Sequence, residues 1–391
     1  MSHDSSILWL ARMRYYDDLR VREFEFARRL AKSRKLIALD CSDARGWDDP
    51  RLISKLMLRW DMARGGWRHW DDGSIPRFRM PVLVATGPVT NRIASWINER
   101  RVRQAMDKFG CGTVFHSNPF NFLPPPPGRR DYRVHFDLVD NFFDGWPDSV
   151  TGLSRKRHMR EAMLQADSLS AVSHCLCDRV EEFIGRRPTY VPNGSALEEI
   201  RAWPPQRAAG VRERLGLSGR RALAYIGNHS AEFDGMKMLM TAFLQARESN
   251  PDLALLLVGP GSDRVPLSRR LGAADGVHVV GPVATGEVWD YFHAADLGLL
   301  PFIMAPVTHH SLPLKVLEFG AAGKPLHATP LHELRRLGFP HVRFAPYDTD
   351  AWRDALLDDA TYAPPDPAAL SKSLVDLSWD SATAQLLKSM G

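Results

Sequence analysis

The stretch from 222 to 301 decides the fold: ALAYIG at 222–227, LALLLVG at 253–259, VHVVG at 277–281 and LGLLP at 297–301 are four short apolar runs, each closed by Gly or Pro. Strands buried on both faces of a parallel sheet read as continuous apolar runs of this kind, not as alternating ones. Helical spacing fills the gaps at 236–248, 267–274 and 288–295. Such alternation predicts a parallel, doubly wound α/β sheet that binds ligands at the C-terminal ends of its strands. The first half has the same grammar. Strand-like runs at 6–10, 36–40, 82–86, 113–115 and 132–139 alternate with helical patterns at 20–31 and 91–109, and the prolines of 124–127 force an extended loop. Two doubly wound domains with a cleft between them are expected, an N-terminal one over 1–200 and a C-terminal one over 201–375. The Pro-containing stretch RAWPPQRAA at 201–209 reads as the junction.

Composition narrows the function classes. With 44% hydrophobic and 25% charged residues, 28 Gly and 28 Pro, the chain is neither disordered nor collagen-like. It has no window of about 18 or more uninterrupted apolar residues, the length of a membrane-spanning helix. The opening MSHDSSILWLARMR places an acid before its apolar run and basic residues after it, the reverse of a secretory signal, so a cytoplasmic location is expected. Cys41, Cys111, Cys175 and Cys177 are too few for a disulfide scaffold and lack the paired spacing of a zinc site. Charge is uneven: through Ser195 there are 32 Lys+Arg against 24 Asp+Glu, net +8, while the remainder holds 19 against 22. Seven of the eleven Trp lie in the basic half, and Trp47, Trp60, Trp67, Trp70 and Trp96 share an arginine-rich stretch. This mixture suits an anionic partner, a phosphate-bearing polymer or a lipid headgroup surface; it suits equally a Trp core under a solvated arginine face.

The densest chemical signal is HHSLPLKVLEFGAAGKP at 309–325. Pro313 predicts a helix start and Gly323 its end, which puts Lys315 and Glu318, three apart, on one face. A lysine beside helix N-terminal amides makes a diphosphate site, and a carboxylate one turn on can accept both hydroxyls of a ribose. The spacing alone also serves a surface ion pair. His229 follows the first run, and His309 and His310 precede Lys315 without a third ligand at metal spacing. Cys175 and Cys177 fall at a predicted helix start and read as structural.

Pro313-x-Lys315-x-x-Glu318, continued by Gly323-Lys324-Pro325, resembles the donor-binding signature of GT-B glycosyltransferases, in particular family-4-like bacterial enzymes of teichuronic acid and similar polysaccharides. Tyr225-Ile-Gly227-Asn-His229 with Glu232-Phe-Asp234, Leu257-Val-Gly259-Pro-Gly261, Val280-Gly281-Pro282 through Tyr291, and Ala295-Asp296-Leu297 through Pro301 are similar, in order, to strands and loops of that family's nucleotide-binding domain. Val191-Pro192-Asn193-Gly194 resembles its interdomain motif, so the resemblance covers about 189–330. It implies a GT-B fold of two Rossmann-like domains facing each other, with a C-terminal helix in 376–391 packing back on the first. The implied activity moves a sugar from a nucleotide-sugar donor to a hydroxyl of a glycan or lipid-linked acceptor in bacterial polysaccharide biosynthesis. Lys315 would meet the donor diphosphate, Glu318 the ribose, Gly227 and His229 the phosphate loop, and His310 the sugar. The nucleotide-sugar is a co-substrate, and no cofactor or metal is implied, because such enzymes stabilise the leaving group with helix dipoles and basic side chains. Asp17-Asp18 and Asp48-Asp49 are then surface charge. Retaining members carry a second glutamate eight residues before Glu318, where this chain has His310. The Pro-x-Lys spacing is similar to that of inverting members of the xanthan glucuronosyltransferase kind, in which an aspartate of the N-terminal domain deprotonates the acceptor.

A candidate for that base lies in His135-Phe-Asp137-Leu-Val-Asp140-Asn141. Strand alternation puts Asp137 on one face with Val139 and leaves Asp140 at the C-terminal end, where a partly desolvated carboxylate can take a hydroxyl proton. The same position also suits an aspartate that caps the next turn. Asp140 is the candidate base, with Asp137 and Asp144 as competitors. On this reading the basic, Trp-rich insert fits peripheral contact with the anionic inner face of the cytoplasmic membrane. Two other readings stay open, a sugar-nucleotide epimerase of the same fold and a non-enzymatic nucleotide- or nucleic-acid-binding protein. Without a recognised motif, a net +8 over the first half makes nucleic acid an unexpected partner.

Overall fold

The computed structural model describes residues 6–11, 21–41, 44–46, 68–70, 75–79, 82–84, 87–117, 122–228, 235–260 and 276–391. The chain divides into two units, Met1–Pro192 with Ala382–Gly391, and Asn193–Ser381. The last ten residues, which take in most of the helix Trp379–Met390, thus belong to the first unit. The expected helix at 267–274 lies outside the described residues, as do Trp47, Trp60 and Trp67.

The first unit contains β1 (Ile7–Ala11), β2 (Leu36–Asp40), β3 (Ala44–Gly46), β4 (Arg68–Trp70), β5 (Arg77–Arg79), β6 (Val82–Val84), β7 (Thr113–His116), β8 (Arg133–Leu138), β9 (Ser168–Ala171) and β10 (Thr189–Tyr190). Eight of them form one sheet in the order β10-β9-β8-β7-β1-β2-β5-β4. Its neighbours run parallel except β4, which is antiparallel to β5 at the edge. The run at 82–86 gives a different result from the one its apolar residues suggest. Its strand β6 pairs with β3 in a separate two-stranded sheet. The amide side chain of Asn98 bonds both the N–H and the C=O of Leu83, at 3.0 and 2.9 Å, so the helix Pro88–Phe109 takes up β6 backbone that a wide sheet would use.

The second unit contains β11 (Arg221–Ile226), β12 (Leu253–Val258), β13 (Val277–Gly281), β14 (Leu297–Leu300), β15 (Leu326–Ala328) and β16 (Val342–Phe344). They form one parallel sheet in the order β13-β12-β11-β14-β15-β16. Every residue of β12 and of β14 is buried, which is why these runs carry no polar alternation. The stretch 201–209 is not the junction: the division falls after Pro192. Pro205 instead opens the helix Pro205–Arg214, where a missing N–H costs nothing. Trp203 and Arg207 tie that segment to Asp290 of the same unit, through Trp203 Nε1 at 2.7 Å and Arg207 Nε at 2.8 Å.

Among the parallel strands of each sheet the winding changes direction at one place, between β1 and β7 in the first unit and between β11 and β14 in the second. At such a reversal the chain leaves neighbouring strands toward opposite faces, and the crevice at their C-terminal ends receives ligands. Among the described residues no helix is long and apolar enough to cross a membrane.

Candidate functional site

At the reversal between β11 and β14, β11 ends at Ile226 and turns at Gly227, whose φ is +151°. A Cβ on Gly227 would overlap the ammonium of Lys315 and stand 2.6 Å from its Cε. The backbone conformation therefore favours glycine, and a side chain there would push aside the flexible end of the lysine. Lys315 Nζ donates to Tyr225 Oη at 3.4 Å and lies 4.7 Å from the Tyr225 ring and 5.2 Å from the Phe302 ring. Two aromatic faces thus hold the ammonium beside the glycine turn. Gly259 ends β12 in the same way: its φ is +128°, and a Cβ there would overlap the Gly227 carbonyl. The backbone at the ends of β11 and β12 is bare and closely packed, a surface that admits a polyanion near its amides.

Lys315 lies in the first turn of the helix Leu314–Ala321, and Glu318, partly buried, follows one turn later. Several contacts fix this helix. Gly298 of β14 has no Cβ where the Phe319 ring packs, 2.6 Å from where one would stand. His341 Nε2 donates to Val316 O at 2.8 Å, and burial pushes the ring down to about 4, so it is neutral in this role. Asn193 Nδ2 bonds Leu312 O at 2.6 Å just before the helix starts. His310 Nδ1–H donates to Pro306 O at 2.6 Å, and His309 stacks on His332 with ring centroids 3.8 Å apart. Desolvation, then His332 and His310, lower the pKa of His309. His229 lies outside the described residues, as do Glu232, Asp234, Asp17, Asp18, Asp48 and Asp49.

In the first unit the three candidate aspartates have separate environments. Asp137, fully buried, accepts from Arg22 Nε at 2.9 Å and Nη2 at 2.7 Å and from Ser170 Oγ at 2.6 Å. Arg22 also donates to the carbonyls of Val191 and Pro192, at 2.8 and 2.9 Å, so the pair anchors the last residues before the unit ends. The polar row continues inward. Ser170 gives its proton to Asp137, so it accepts from His135 Nε2 at 2.9 Å, and His135 Nδ1 accepts from Ser168 at 2.8 Å. Burial pushes His135 down to about 4, in keeping with a neutral ring. Asp144 receives Arg179 Nε and Nη2, both at 2.8 Å, and Asn141 Nδ2 at 2.7 Å. Asp140, two residues past β8, is partly exposed. At the reversal between β1 and β7, the Ser117 hydroxyl donates to the Glu23 carboxylate, beside a fully buried His116 whose pKa desolvation lowers well below the usual value. Among the described residues no cluster of His, Cys, Asp and Glu has the makings of a metal site.

A family model described as Glycosyl transferases group 1 matches residues 220–359, the span from β11 past β16. Those residues of the second unit are similar to the group 1 glycosyltransferases. The chain is 30% identical to the teichuronic acid biosynthesis glycosyltransferase TuaH of Bacillus subtilis over 215 residues, 51% of this chain and 52% of that one. It spans about half the length of the curated relatives it matches. Two solved structures share the architecture across 98% of both chains. These are Anabaena HepE in complex with UDP, at 14% identity and a TM-score of 0.66, and the lipopolysaccharide glycosyltransferase WaaG, at 15% and 0.64. The fold is GT-B.

The second unit brings Gly227 and Lys315 together and places Glu318 on the lysine's helix. Sequence reasoning missed three of its supports. Gly235, with φ +59°, opens the helix Met236–Ser249 where a Cβ would overlap the Pro301 carbonyl. Gly298 and His341 set the height and tilt of the lysine's helix. A glycine inside the apolar run LGLLP was a usable signal, since glycine in a strand marks close backbone approach. A histidine far along the chain offered none.

Proposed function

We propose that the protein is a glycosyltransferase that moves a sugar from a nucleoside-diphosphate sugar to a hydroxyl of a glycan or lipid-linked acceptor. The observation that carries this reading is the ammonium of Lys315, held between Tyr225, Phe302 and Gly227 at the strand-order reversal of a unit similar to the group 1 glycosyltransferases. In the reaction the acceptor oxygen attacks the anomeric carbon. The bond from that carbon to the diphosphate oxygen breaks, and the acceptor proton passes to the Asp140 carboxylate. Charge grows on the departing diphosphate, and Lys315 with the first-turn amides of its helix meets it there. Glu318 accepts the ribose hydroxyls, Gly227 and His229 line the phosphate loop, and His310 faces the sugar. The reaction then needs no divalent cation, because the lysine and helix ends supply the positive charge.

Anabaena HepE is in complex with UDP, and with UDP-glucose in a further structure, which favours a uridine nucleotide as the donor here. The TuaH likeness favours a cell-envelope polysaccharide as the product. A cytoplasmic site beside the membrane follows for an enzyme that draws on nucleotide-sugars and extends lipid-linked chains. Ligand-observed NMR and thermal shift with UDP, GDP, dTDP and CMP and their sugar conjugates test the donor. Selective binding of one nucleotide that Lys315→Ala abolishes supports the reading. A folded protein that binds none removes it. Incubating the preferred donor without acceptor separates transfer from epimerisation, since only an epimerase changes the sugar without an acceptor.

A further inference from the structure

We propose that the helices Pro88–Phe109 and Val150–Gln165 of the first unit form a docking face for an anionic lipid bilayer. Each helix already buries one apolar side: Ala94, Val102, Ala105 and Met106 on the first, Met159, Ala162 and Met163 on the second. Each carries further large apolar residues on the outside. Val89, Ile93 and Trp96, spaced four and three apart and so on one stripe, are 70%, 45% and 61% exposed. Val150 and Leu153 are 73% and 51% exposed on the second helix. A groove of about 360 Å³ separates the two, lined among others by Val89, Arg92, Ile93, Leu123 and Arg157. Large apolar side chains exposed in number on two helices that share a groove mark an interaction site.

Charge identifies the occupant. The two helices together hold nine basic residues against three acidic ones, a net +6 in a chain whose whole net charge is +5. Arg92, Arg155, Arg157 and Arg160 make no ion pair among the described residues, and the Arg100 guanidinium lies 6.0 Å from the Trp96 ring. Apolar and aromatic side chains among arginines match a bilayer interface, where the former sink below the headgroups and the latter meet lipid phosphate. A nucleic acid would leave Val89, Ile93, Val150 and Leu153 with nothing apolar to enter. A second copy joined through the same face would bring two +6 surfaces together, which like-charge repulsion opposes. The proposal goes beyond the transfer reading and rests on it only for the expectation that the acceptor is membrane-borne.

The test is co-sedimentation of the full chain with phosphatidylcholine vesicles, with and without about a third phosphatidylglycerol, at low and high salt. Binding is expected on the anionic vesicles only, weakened by salt. Arg92→Gln lowers the partition about fivefold, the exposed pair Ile93→Glu with Trp96→Glu lowers it at least about tenfold, and Lys372→Gln, in the second unit, leaves it unchanged. Brominated lipid quenches part of the wild-type fluorescence, and Trp96→Phe removes that part. No binding at low salt, equal binding to neutral vesicles, or full binding by the double variant overturns the proposal. So does a concentration-dependent dimer that the double variant dissolves. A nucleotide-induced thermal shift in each variant shows that the fold holds. Vesicle binding without any nucleotide shift in the wild type would sink the transfer reading and leave the docking face standing; the reverse outcome overturns the docking face alone.

Discussion

Gly227→Ala isolates the contact on which the proposed donor site depends. The new methyl overlaps the ammonium of Lys315 and lies 2.6 Å from its Cε, so the flexible end of the lysine must leave its place over the Tyr225 ring. Holding alanine at a φ of +151° adds backbone strain of about 1–2 kcal/mol, and the lost cation–π contact adds about 0.5–1 kcal/mol. Stability should fall by about 1.5–3 kcal/mol in urea titration. A charge-assisted hydrogen bond to a diphosphate is worth about 1.5–3 kcal/mol, so the Kd for UDP rises about 10–100-fold. Lys315→Ala gives the same loss of affinity, yet lowers stability by only the cation–π share. The decisive measurement is the double variant by calorimetry. If the glycine acts through the lysine, the second substitution adds almost nothing to the loss of affinity, and the coupling energy approaches the lysine's own contribution. Multiplicative losses, or wild-type affinity in Gly227→Ala, would show that the ammonium's position beside the glycine does not matter to the nucleotide.

Asp140→Asn should lower the transfer rate by about 10²–10⁴-fold while UDP affinity and melting temperature stay at wild-type values; a weakened donor affinity would place this residue elsewhere. Arg22→Ala leaves the carboxylate of Asp137 buried without its guanidinium and should cost about 3–5 kcal/mol in urea unfolding, whereas a change under about 1 kcal/mol would mean that the pair is not the anchor its contacts suggest. The melting temperature should fall between pH 7 and pH 5. Burial pushes His135, His327 and His341 from 6.5 down to about 4, so the unfolded chain takes up protons first. The stability these rings contribute is present above about pH 6.5 and is lost as the pH drops toward 4, at up to about 1.4 kcal/mol per ring per pH unit. His327→Leu should flatten this acid limb, and a melting temperature that is level over the range would refute the assignment.

The second unit was legible because its strands are buried on both faces. Four apolar runs closed by Gly or Pro gave β11 to β14 with their order of appearance, and Pro313 and Gly323 bracket the helix that carries Lys315. The sequence could not supply the strand order that brings Gly227 to Lys315, 88 positions later. That order depends on the crossovers, which periodicity does not encode. The junction was misread for a local reason: two adjacent prolines serve a linker and a helix start alike, and only the contacts of Trp203 and Arg207 with Asp290 decide between them. In the first unit the basic and apolar residues of 88–109 overlap two periodicities, one facing the sheet and one facing outward. A single amphipathic stripe would have been readable, but the outward stripe of Val89, Ile93 and Trp96 was hidden in it.

Asp137, Asp140 and Asp144 fall within eight residues, and neither spacing nor charge separates them. Their partners do. Asp137 is fully buried and meets two nitrogens of Arg22, and Asp144 meets two nitrogens of Arg179. A carboxylate gripped at two points by guanidinium is fixed in place, and its oxygens are occupied by that grip. Such a group makes a poor base. Its use lies in the element it fixes: Arg22, aligned by Asp137, also holds the carbonyls of Val191 and Pro192, where the first unit hands over to the second. Asp140 stands partly exposed just past β8, at the end of the sheet where ligands bind, and this is the position a proton acceptor needs. Asp137→Asn should therefore act through stability, and Asp140→Asn through rate. If Asp137→Asn instead abolished transfer in a fully stable protein, the base would belong on the strand and not beyond it.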